Sequence, residues 1–171
     1  MTEIPLTRGM VAIVDDQDYD WLSQRTWYSN AQGASRFYAV RHLKRENGKQ
    51  VKILMHRVIW EHYHGQIPDG MEIDHINGNS LDNRLDNLRV SSHSCNIANS
   101  RKRAAHTSSY KGVYWLKKNK KWRATIQYSQ RKLHIGLFDS ELEAAVAYDA
   151  RAKELFGHFA LLNFKEGQPR E

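Results

Sequence analysis

The sequence predicts an α+β fold made of two small modules, and three observations lead to this prediction. A short strand ending at His75 runs into the turn-rich stretch Asn77-Gly78-Asn79, and a helical segment follows that loop region. Three segments between residues 112 and 136 alternate polar and apolar side chains, as strands do. Residues 140–157 then read as one helix with alanines along one face.

The N-terminal residues 1–53 are predicted to form a mixed α/β segment that packs on the first module. Two strands are expected there, on either side of the hairpin-turn signal Asn47-Gly48: residues 36–44 and 49–55. A short helix or a strand-to-helix transition should follow over 54–63. Asp15, Asp16 and Asp18 are interpreted as the acidic start of a helix and not as a carboxylate metal cluster, because negative charge stabilises a helix N-terminus.

The first module is predicted to continue with a strand at 71–75 and to end with a helix. Ser91 or Ser92 should cap that helix, which should run to about Arg103. Helical spacing then places three polar side chains on one face: Asn96, Asn99 and Arg103. The small and polar residues that follow indicate a linker at 104–108.

The pair Asp74-His75, with Asn87 and Asn96 further along the chain, carries the chemistry of this module. A carboxylate and an amide oxygen suit a hard divalent ion such as Mg²⁺, which keeps most of its waters. An imidazole with a pKa near 6.5 can take a proton from water at neutral pH. The combination indicates phosphodiester cleavage.

Residues 55–100 resemble the HNH nuclease family through these four positions. The resemblance implies a ββα-metal module, in which a β-hairpin, a loop and a helix surround one Mg²⁺ or Mn²⁺ ion. It implies that His75 activates water and that Asp74 and Asn96 bind the metal. It also implies that Asn87 braces the loop. Because the pattern ends on Asn96 and not on a third histidine, it resembles the H-N-N subgroup found among phage and intron homing endonucleases.

The second module is predicted at residues 109–166, as a small three-stranded antiparallel sheet packed on one helix. The predicted boundaries before it are 54–103 for the first module and 104–108 for the linker. A Ser140–Glu143 capping box begins the helix, and Gly157 ends it. Trp122 is predicted to lie in the core under this helix, and Trp115 to pack on a DNA sugar or in the core.

The second module resembles the DNA-binding domain of plant ethylene-response factors, the APETALA type. The resemblance is carried by five segments: Ser109-Tyr110-Lys111-Gly112-Val113, Gly136-Leu137-Phe138-Asp139, Glu143-Ala144-Ala145, Ala147-Tyr148-Asp149 and Leu161-Leu162-Asn163-Phe164. It implies a sheet that lies in the DNA major groove. The positions matching the base-reading residues are Lys111, Tyr114, Leu116, Thr125, Gln127, Lys132 and His134. Several arginines and a tryptophan of the plant proteins are replaced, so the plant target sequence is not expected to carry over.

Charge is distributed unevenly, although the net value is +7. No acidic residue occurs from Asn87 to Phe138, a stretch rich in lysine and arginine. Such a field favours a polyanionic partner, because neutralising phosphates releases counterions; a solvated basic face is the other interpretation. The DNA-binding candidates are Arg103, Lys111, Tyr114, Lys117, Lys118, Lys120, Lys121, Arg123, Gln127, Lys132 and His134.

Composition excludes several classes of protein. The single cysteine, Cys95, excludes an internal disulfide and paired zinc knuckles, so no structural zinc is expected. His56, His62 and His64 match no zinc spacing and are interpreted as packing or surface residues. No long apolar run or signal peptide occurs, so a membrane partner is not expected. An intracellular, cytoplasmic protein of a bacterium or phage-infected cell is predicted.

The leading hypothesis is a site-specific, metal-dependent double-stranded DNA endonuclease of the homing type. Water activated by His75 would attack a metal-bound phosphodiester, leaving 5′-phosphate and 3′-hydroxyl ends by resemblance. The alternative is a sequence-specific DNA-binding regulator with an inactive nuclease module. RNA binding is a third reading, weaker because A-form RNA hides its major groove. Nicking or double-strand cleavage, and monomer or dimer, stay open at this stage.

Overall fold

The computed structural model describes residues 1–33, 36–44, 48–99, 107–129 and 131–164. Its strands are β1 (Thr2–Pro5), β2 (Val11–Val14), β3 (Tyr28–Gln32), β4 (Arg36–Lys44), β5 (Gln50–Leu54), β6 (Met71–His75), β7 (Leu88–Ser92), β8 (Val113–Leu116), β9 (Lys121–Tyr128) and β10 (Arg131–Phe138). Its α-helices are α1 (Asp16–Ser23), α2 (Met55–His64), α3 (His93–Asn99) and α4 (Glu141–Phe156). Short 3-10 turns lie at Thr7–Gly9, Leu85–Asn87 and Gly157–Phe159. The chain divides into two compact units, Met1–Ser91 and Ser92–Glu171.

The described residues of the first unit form three small sheets: β1 paired with β2, the order β3-β4-β5, and β6 paired with β7. One cluster of buried apolar side chains joins the N-terminal segment to the strand that carries His75. It includes Ala12 and Val14 of β2, Ile59 of α2 and Ile73 of β6. Residues 1–53 therefore share a hydrophobic core with the segment that contains the candidate site.

Local predictions for this unit agree well with the structure. Strands β4 and β5 pair antiparallel, with Val40 opposite Leu54 and Lys44 opposite Gln50. The predicted turn residue Asn47 lies outside the described residues. Strand β5 passes directly into α2 at Met55, which confirms the predicted transition, and α1 begins at Asp16 as the acidic residues predicted.

The second unit contains the sheet β10-β9-β8, which is antiparallel throughout and packs on α4. Trp122 belongs to the apolar cluster between this sheet and α4, as predicted. The side chain of Ser140 accepts a hydrogen bond from Leu142 N and so caps α4. A glycine is required at position 112, because a Cβ atom there would lie 2.2 Å from the Tyr148 ring.

Helix α3 belongs to this second unit. Ser92 caps it, since the Ser92 Oγ accepts a hydrogen bond from Cys95 N at 3.3 Å. The described helix ends at Asn99, and the predicted continuation to Arg103 lies outside the described residues. The chain order β6, β7, α3 follows the predicted strand–strand–helix order, whereas the ββα-metal arrangement itself stays a prediction.

The predicted α+β class is confirmed at the level of a mixed α/β protein with small antiparallel sheets. None of the helices described here is both long and apolar enough to span a membrane.

Candidate active site and nucleic-acid interface

The candidate site begins where β6 ends at His75. The chain turns sharply there, because Gly78 N donates to His75 O at 2.8 Å. The Asn77 side chain stabilises this turn by accepting a hydrogen bond from Asn79 N at 2.8 Å. Such a bond from an Asx side chain to the local backbone is typical of turns, and it lies in the predicted turn-rich stretch.

Asn87 ties the two ends of the loop together. Its Oδ1 accepts from Asn77 N at 3.0 Å, and its Nδ2 donates to the carbonyl of Asp82 at 2.7 Å. Its own carbonyl accepts from Ile76 N at 2.9 Å. Asn87 is buried, with 7% of its surface exposed, and its hydrogen bonds hold the loop closed directly after His75.

Asp82 also stabilises the loop, through hydrogen bonds to its carboxylate. Its carboxylate accepts a hydrogen bond from Asn77 Nδ2 at 2.8 Å and two from the Arg84 guanidinium, at 2.8 and 2.7 Å. The Arg84 hydrogen bonds, followed by that of Asn77, lower the pKa of Asp82 despite its burial. The carboxylate is therefore ionised and acts as a structural acceptor near neutral pH.

Strand β2 and the start of α1 hold the same loop from outside. Ile13 bonds both Leu81 and Asn83 through its backbone, each at 2.8 Å. The Asp15 carboxylate accepts from Leu85 N at 2.8 Å and makes no side-chain cap on α1. The N-terminal segment is thus a support for the loop, a role that helix-capping arguments did not reveal.

His75 lies buried, with 6% of its surface exposed. Its Nε2 lies 3.4 Å from the Oδ1 of Asn83, a residue with no exposed surface. Burial lowers the pKa of His75, and the Asn83 hydrogen bond and the nearby Asp74 act in the opposite direction. The imidazole is consequently neutral at physiological pH, the state in which it can accept a proton.

His56 is a neighbour that sequence reasoning did not assign to the site. Its ring meets the His75 ring edge-on, with centroids 4.9 Å apart, and the Tyr38 ring lies 5.5 Å from His56 and 6.1 Å from His75. Its Nδ1 is buried without a hydrogen-bond partner among the described residues. His56 lies one helical turn before the buried Ile59, a periodicity signal that was available in the sequence.

Burial of His56 gives the protein a testable acid sensitivity. Desolvation first, and then the charges of His75 and Arg57, lower the pKa of His56 well below its ordinary value. The unfolded chain takes up this proton near pH 6.5, whereas the folded state resists it. The free energy of unfolding should therefore fall by up to about 1.4 kcal/mol per pH unit as the pH drops below about 6.5.

Urea unfolding between pH 7.5 and 5.5 measures this effect. The variant His56→Phe, which keeps an aromatic ring beside Tyr38, should show a shallower pH dependence than the wild-type protein. The exposed His64, which stacks on Trp60, provides the matched control His64→Phe. An unchanged slope in His56→Phe would show that this imidazole is not the source of the acid sensitivity.

Asp74 is 5% exposed and forms an ion pair with Arg89. The Arg89 Nε and Nη2 both donate to the same carboxylate oxygen, Oδ2, at 3.1 and 2.9 Å. This arrangement fixes the orientation of the carboxylate. The sequence shows Arg89 only as one cation of the basic stretch, and the structure shows its pairing with Asp74.

Carboxylate and amide oxygens, the donors that Asp74 and Asn96 carry, are of the type that a hard divalent ion prefers. Within the described residues, no cluster of three or more His, Cys, Asp or Glu side chains suited to a metal occurs. A Mg²⁺ site needs no such cluster, because one or two carboxylates plus substrate phosphate oxygens suffice. Asp74 lies in the first unit, and Asn96 lies on α3 in the second.

One face of the second-unit sheet carries five of the eleven DNA-binding candidates. Tyr114 pairs with Arg123, and Gln127 pairs with Lys132, so these four side chains share the face that is turned away from α4. The Arg123 guanidinium lies 5.8 Å from the Tyr114 ring centre, and the Lys132 ammonium lies 4.9 Å from it. His134, on the same face, accepts a hydrogen bond from Arg123 at 3.3 Å.

The remaining candidates occupy different settings. Lys117, Lys118 and Lys120 are exposed in the turn between β8 and β9. Lys121 forms an ion pair with Asp139 at 2.9 Å. The Lys111 ammonium donates to the carbonyl of Ala98, which differs from the predicted DNA contact, and Arg103 lies outside the described residues.

Comparisons with known proteins relate part of this chain to HNH endonucleases. Residues 54–98 match a model of the HNH endonuclease family. Protein 3.8 of Escherichia phage T7 is 39% identical over 106 residues, which make up 61% of this chain and 86% of that protein. An uncharacterised HNH endonuclease of Acanthamoeba polyphaga mimivirus is 29% identical over 157 residues, 91% of this chain and 76% of that relative. No solved structure matches the chain significantly.

Proposed function

We propose that this chain, whose residues 54–98 match a model of the HNH endonuclease family, is a site-specific, metal-dependent DNA endonuclease of the homing type. The observation that carries the proposal is the buried, neutral His75 that Asn83 orients beside the carboxylate of Asp74. A hydrogen-bonded turn without catalysis does not need an imidazole held in this way. The proposed substrate is double-stranded DNA.

The contact with Asn83 supports a specific role for each His75 nitrogen. The Nδ2 of Asn83 donates to Leu81 O at 3.1 Å, so the oxygen of this amide faces the imidazole. An accepting oxygen opposite Nε2 makes Nε2 the protonated nitrogen of the neutral ring. The lone pair then resides on Nδ1, and this atom is the proposed acceptor of the proton from the attacking water.

Asp74 and Asn96 are the residues that would hold Mg²⁺ or Mn²⁺. When bound, the ion supplies Lewis-acid stabilisation to the phosphoryl group and the leaving 3′ oxygen. Arg89 contributes by fixing the Asp74 carboxylate in one orientation. Asn87, which closes the loop after His75, is proposed to keep the imidazole aligned and to take no part in proton transfer.

The second unit is proposed to choose the DNA site with its sheet, in the manner of the ethylene-response-factor domain it resembles. Support comes from the cationic and aromatic face formed by Tyr114, Arg123, Lys132 and His134. Gln127 is exposed next to Lys132 and has the donor and acceptor pair that reads adenine. Lysines in the neighbouring turn are suited to phosphates.

A single substitution tests the sheet as a DNA-binding surface. Lys132→Ala should weaken DNA binding and reduce the slope of log affinity against log salt by about one, because one phosphate contact is lost. Fluorescence anisotropy in EDTA at several salt concentrations measures both quantities. Lys52→Ala, which removes an exposed lysine from β5, is the matched control. Equal salt slopes for the two variants would argue against this face.

One observation favours a second function, a DNA-binding regulator with an inactive nuclease module. The Arg89 guanidinium already neutralises Asp74, and a permanent cation there competes with a metal. The two functions differ in a supercoiled-plasmid assay with Mg²⁺, Mn²⁺ or EDTA. Metal-dependent nicking supports the endonuclease, and its absence with every metal, alongside sequence-specific binding, supports the regulator. Cleavage of a randomised DNA library, mapped on both strands, then identifies the site and the number of strands cut.

A further inference from the structure

We propose that the second unit anchors the helix that carries Asn96, and that Lys111 is a positioning residue for this metal ligand. The inference rests on the proposed assignment of Asn96 to metal binding. It gives the second unit a part in catalysis in addition to its proposed part in DNA recognition. All the contacts that carry it lie between residues 92 and 164.

Apolar packing is the first part of the anchor. Ala98 is buried, and Cys95 is partly buried, in the same cluster as Ile126 of β9 and Tyr148 and Phe156 of α4. These two α3 residues lie on either side of Asn96 in the sequence. The backbone position of Asn96 is therefore set by the core of the second unit.

Two hydrogen bonds to a single carbonyl are the second part. The carbonyl of Ala98 accepts one from the Lys111 ammonium and one from Leu161 N, the latter at 3.3 Å. Burial lowers the pKa of Lys111 to about 8. A buried ammonium has lost hydrogen bonds to water and needs another acceptor in their place. The hydrogen bond from Lys111 to the Ala98 carbonyl therefore restrains both the lysine side chain and helix α3.

A polar network fixes Lys111 in turn. The side chain of Asn163 accepts from Lys111 N at 2.6 Å and donates to Lys111 O at 3.3 Å. Asn163 is held by the Asp149 carboxylate of α4, which accepts from its N and Nδ2 at 2.8 and 3.0 Å. A continuous set of bonds thus runs from α4 through Asn163 and Lys111 to α3.

The position of a ligand helix matters because misplacement of a reacting group by about 1 Å can cost about 100-fold in rate. Lys111 was predicted to contact DNA from its match to the base-reading positions of the plant domain. Its ammonium instead donates inside the unit, whereas Lys132 is exposed on the sheet face. The two lysines should therefore behave differently when each is replaced.

The test compares Lys111→Met with Lys132→Met in the full chain. Hydrogen–deuterium exchange of the α3 amides, without metal or DNA, should be about tenfold faster in Lys111→Met and unchanged in Lys132→Met. DNA affinity in EDTA should change less than about twofold in Lys111→Met and fall in Lys132→Met. The Mg²⁺ concentration for half-maximal nicking should rise only in Lys111→Met.

A conservative variant separates positioning from general destabilisation. Lys111→Arg keeps a donor for the Ala98 carbonyl and should restore slow α3 exchange to within about threefold of wild type. Exchange in Lys111→Arg as fast as in Lys111→Met would overturn the proposal. So would unchanged α3 exchange in Lys111→Met accompanied by a loss of DNA affinity, which would make Lys111 a DNA contact. Hydrogen–deuterium exchange of α3 and DNA affinity in EDTA are both measured without cleavage. A protein that lacks nuclease activity would therefore refute the proposed function, while these two measurements would still test whether Lys111 anchors α3.

Discussion

His75→Ala is expected to abolish cleavage and to leave DNA affinity within about twofold of the wild-type value. General-base catalysis contributes about 100- to 10,000-fold, and the variant removes the only nitrogen assigned to that role. The imidazole is buried and contacts Asn83 and His56, so it is not part of the proposed DNA-binding sheet. Single-turnover cleavage of a labelled target, with affinity measured in EDTA, checks both expectations.

The control for this variant is His64→Ala, which removes an exposed histidine from the same unit. It should cleave at the wild-type rate. Thermal unfolding of both variants verifies that each is folded at the assay temperature. An equal loss of cleavage and of DNA affinity in His75→Ala would contradict a purely catalytic role, and wild-type cleavage would remove His75 from the mechanism.

Asp74→Asn is expected to lower the cleavage rate by about 100- to 1,000-fold and to raise the Mg²⁺ concentration needed for half-maximal activity. An amide is a weaker ligand for Mg²⁺ than a carboxylate, and metal stabilisation of phosphoryl transfer is worth several kcal/mol. Titration of the cleavage rate with Mg²⁺ and Mn²⁺ measures both effects. Asn is preferable to Ala here, because its oxygen can still accept a hydrogen bond from Arg89.

Stability must be separated from metal binding in this experiment. Removing one partner of a largely buried ion pair destabilises a protein by about 3–5 kcal/mol, and Arg89 would be left with a weaker partner. Thermal unfolding without metal gives that contribution directly. The matched control, Asp86→Asn, changes an exposed acid in the same loop and should alter neither quantity. A folded Asp74→Asn protein with wild-type metal dependence would exclude Asp74 as a ligand.

Much of the local structure was predictable because it depends on near neighbours in the chain. Strand β6 has the predicted bounds, 71–75, and the chain turns at Asn77 in the turn-rich stretch that follows it. The cap of α4 at Ser140 and the direct passage from β5 into α2 follow from similar short-range preferences. Propensity, capping and turn geometry act over a few residues, so the sequence shows them.

The environment of the candidate site was less predictable. The His56–His75 contact, the Arg89–Asp74 ion pair and the support of the loop by β2 all join residues distant in sequence. Which side chains meet in this way depends on how the elements pack, and packing depends on shape complementarity over the whole core. The orientation of the Asn83 amide toward the imidazole is likewise set by the tertiary structure.

The sequence by itself determined the kind of chemistry: an acid, an imidazole and two amides in an order that suits phosphodiester cleavage, with a basic second half suited to DNA. Only the tertiary structure decided that Asp74 is paired with Arg89, and that Lys111 binds the helix of Asn96. The reason is physical: residue types set which reactions and partners are possible, whereas burial and long-range contacts set which charges are neutralised and which remain exposed.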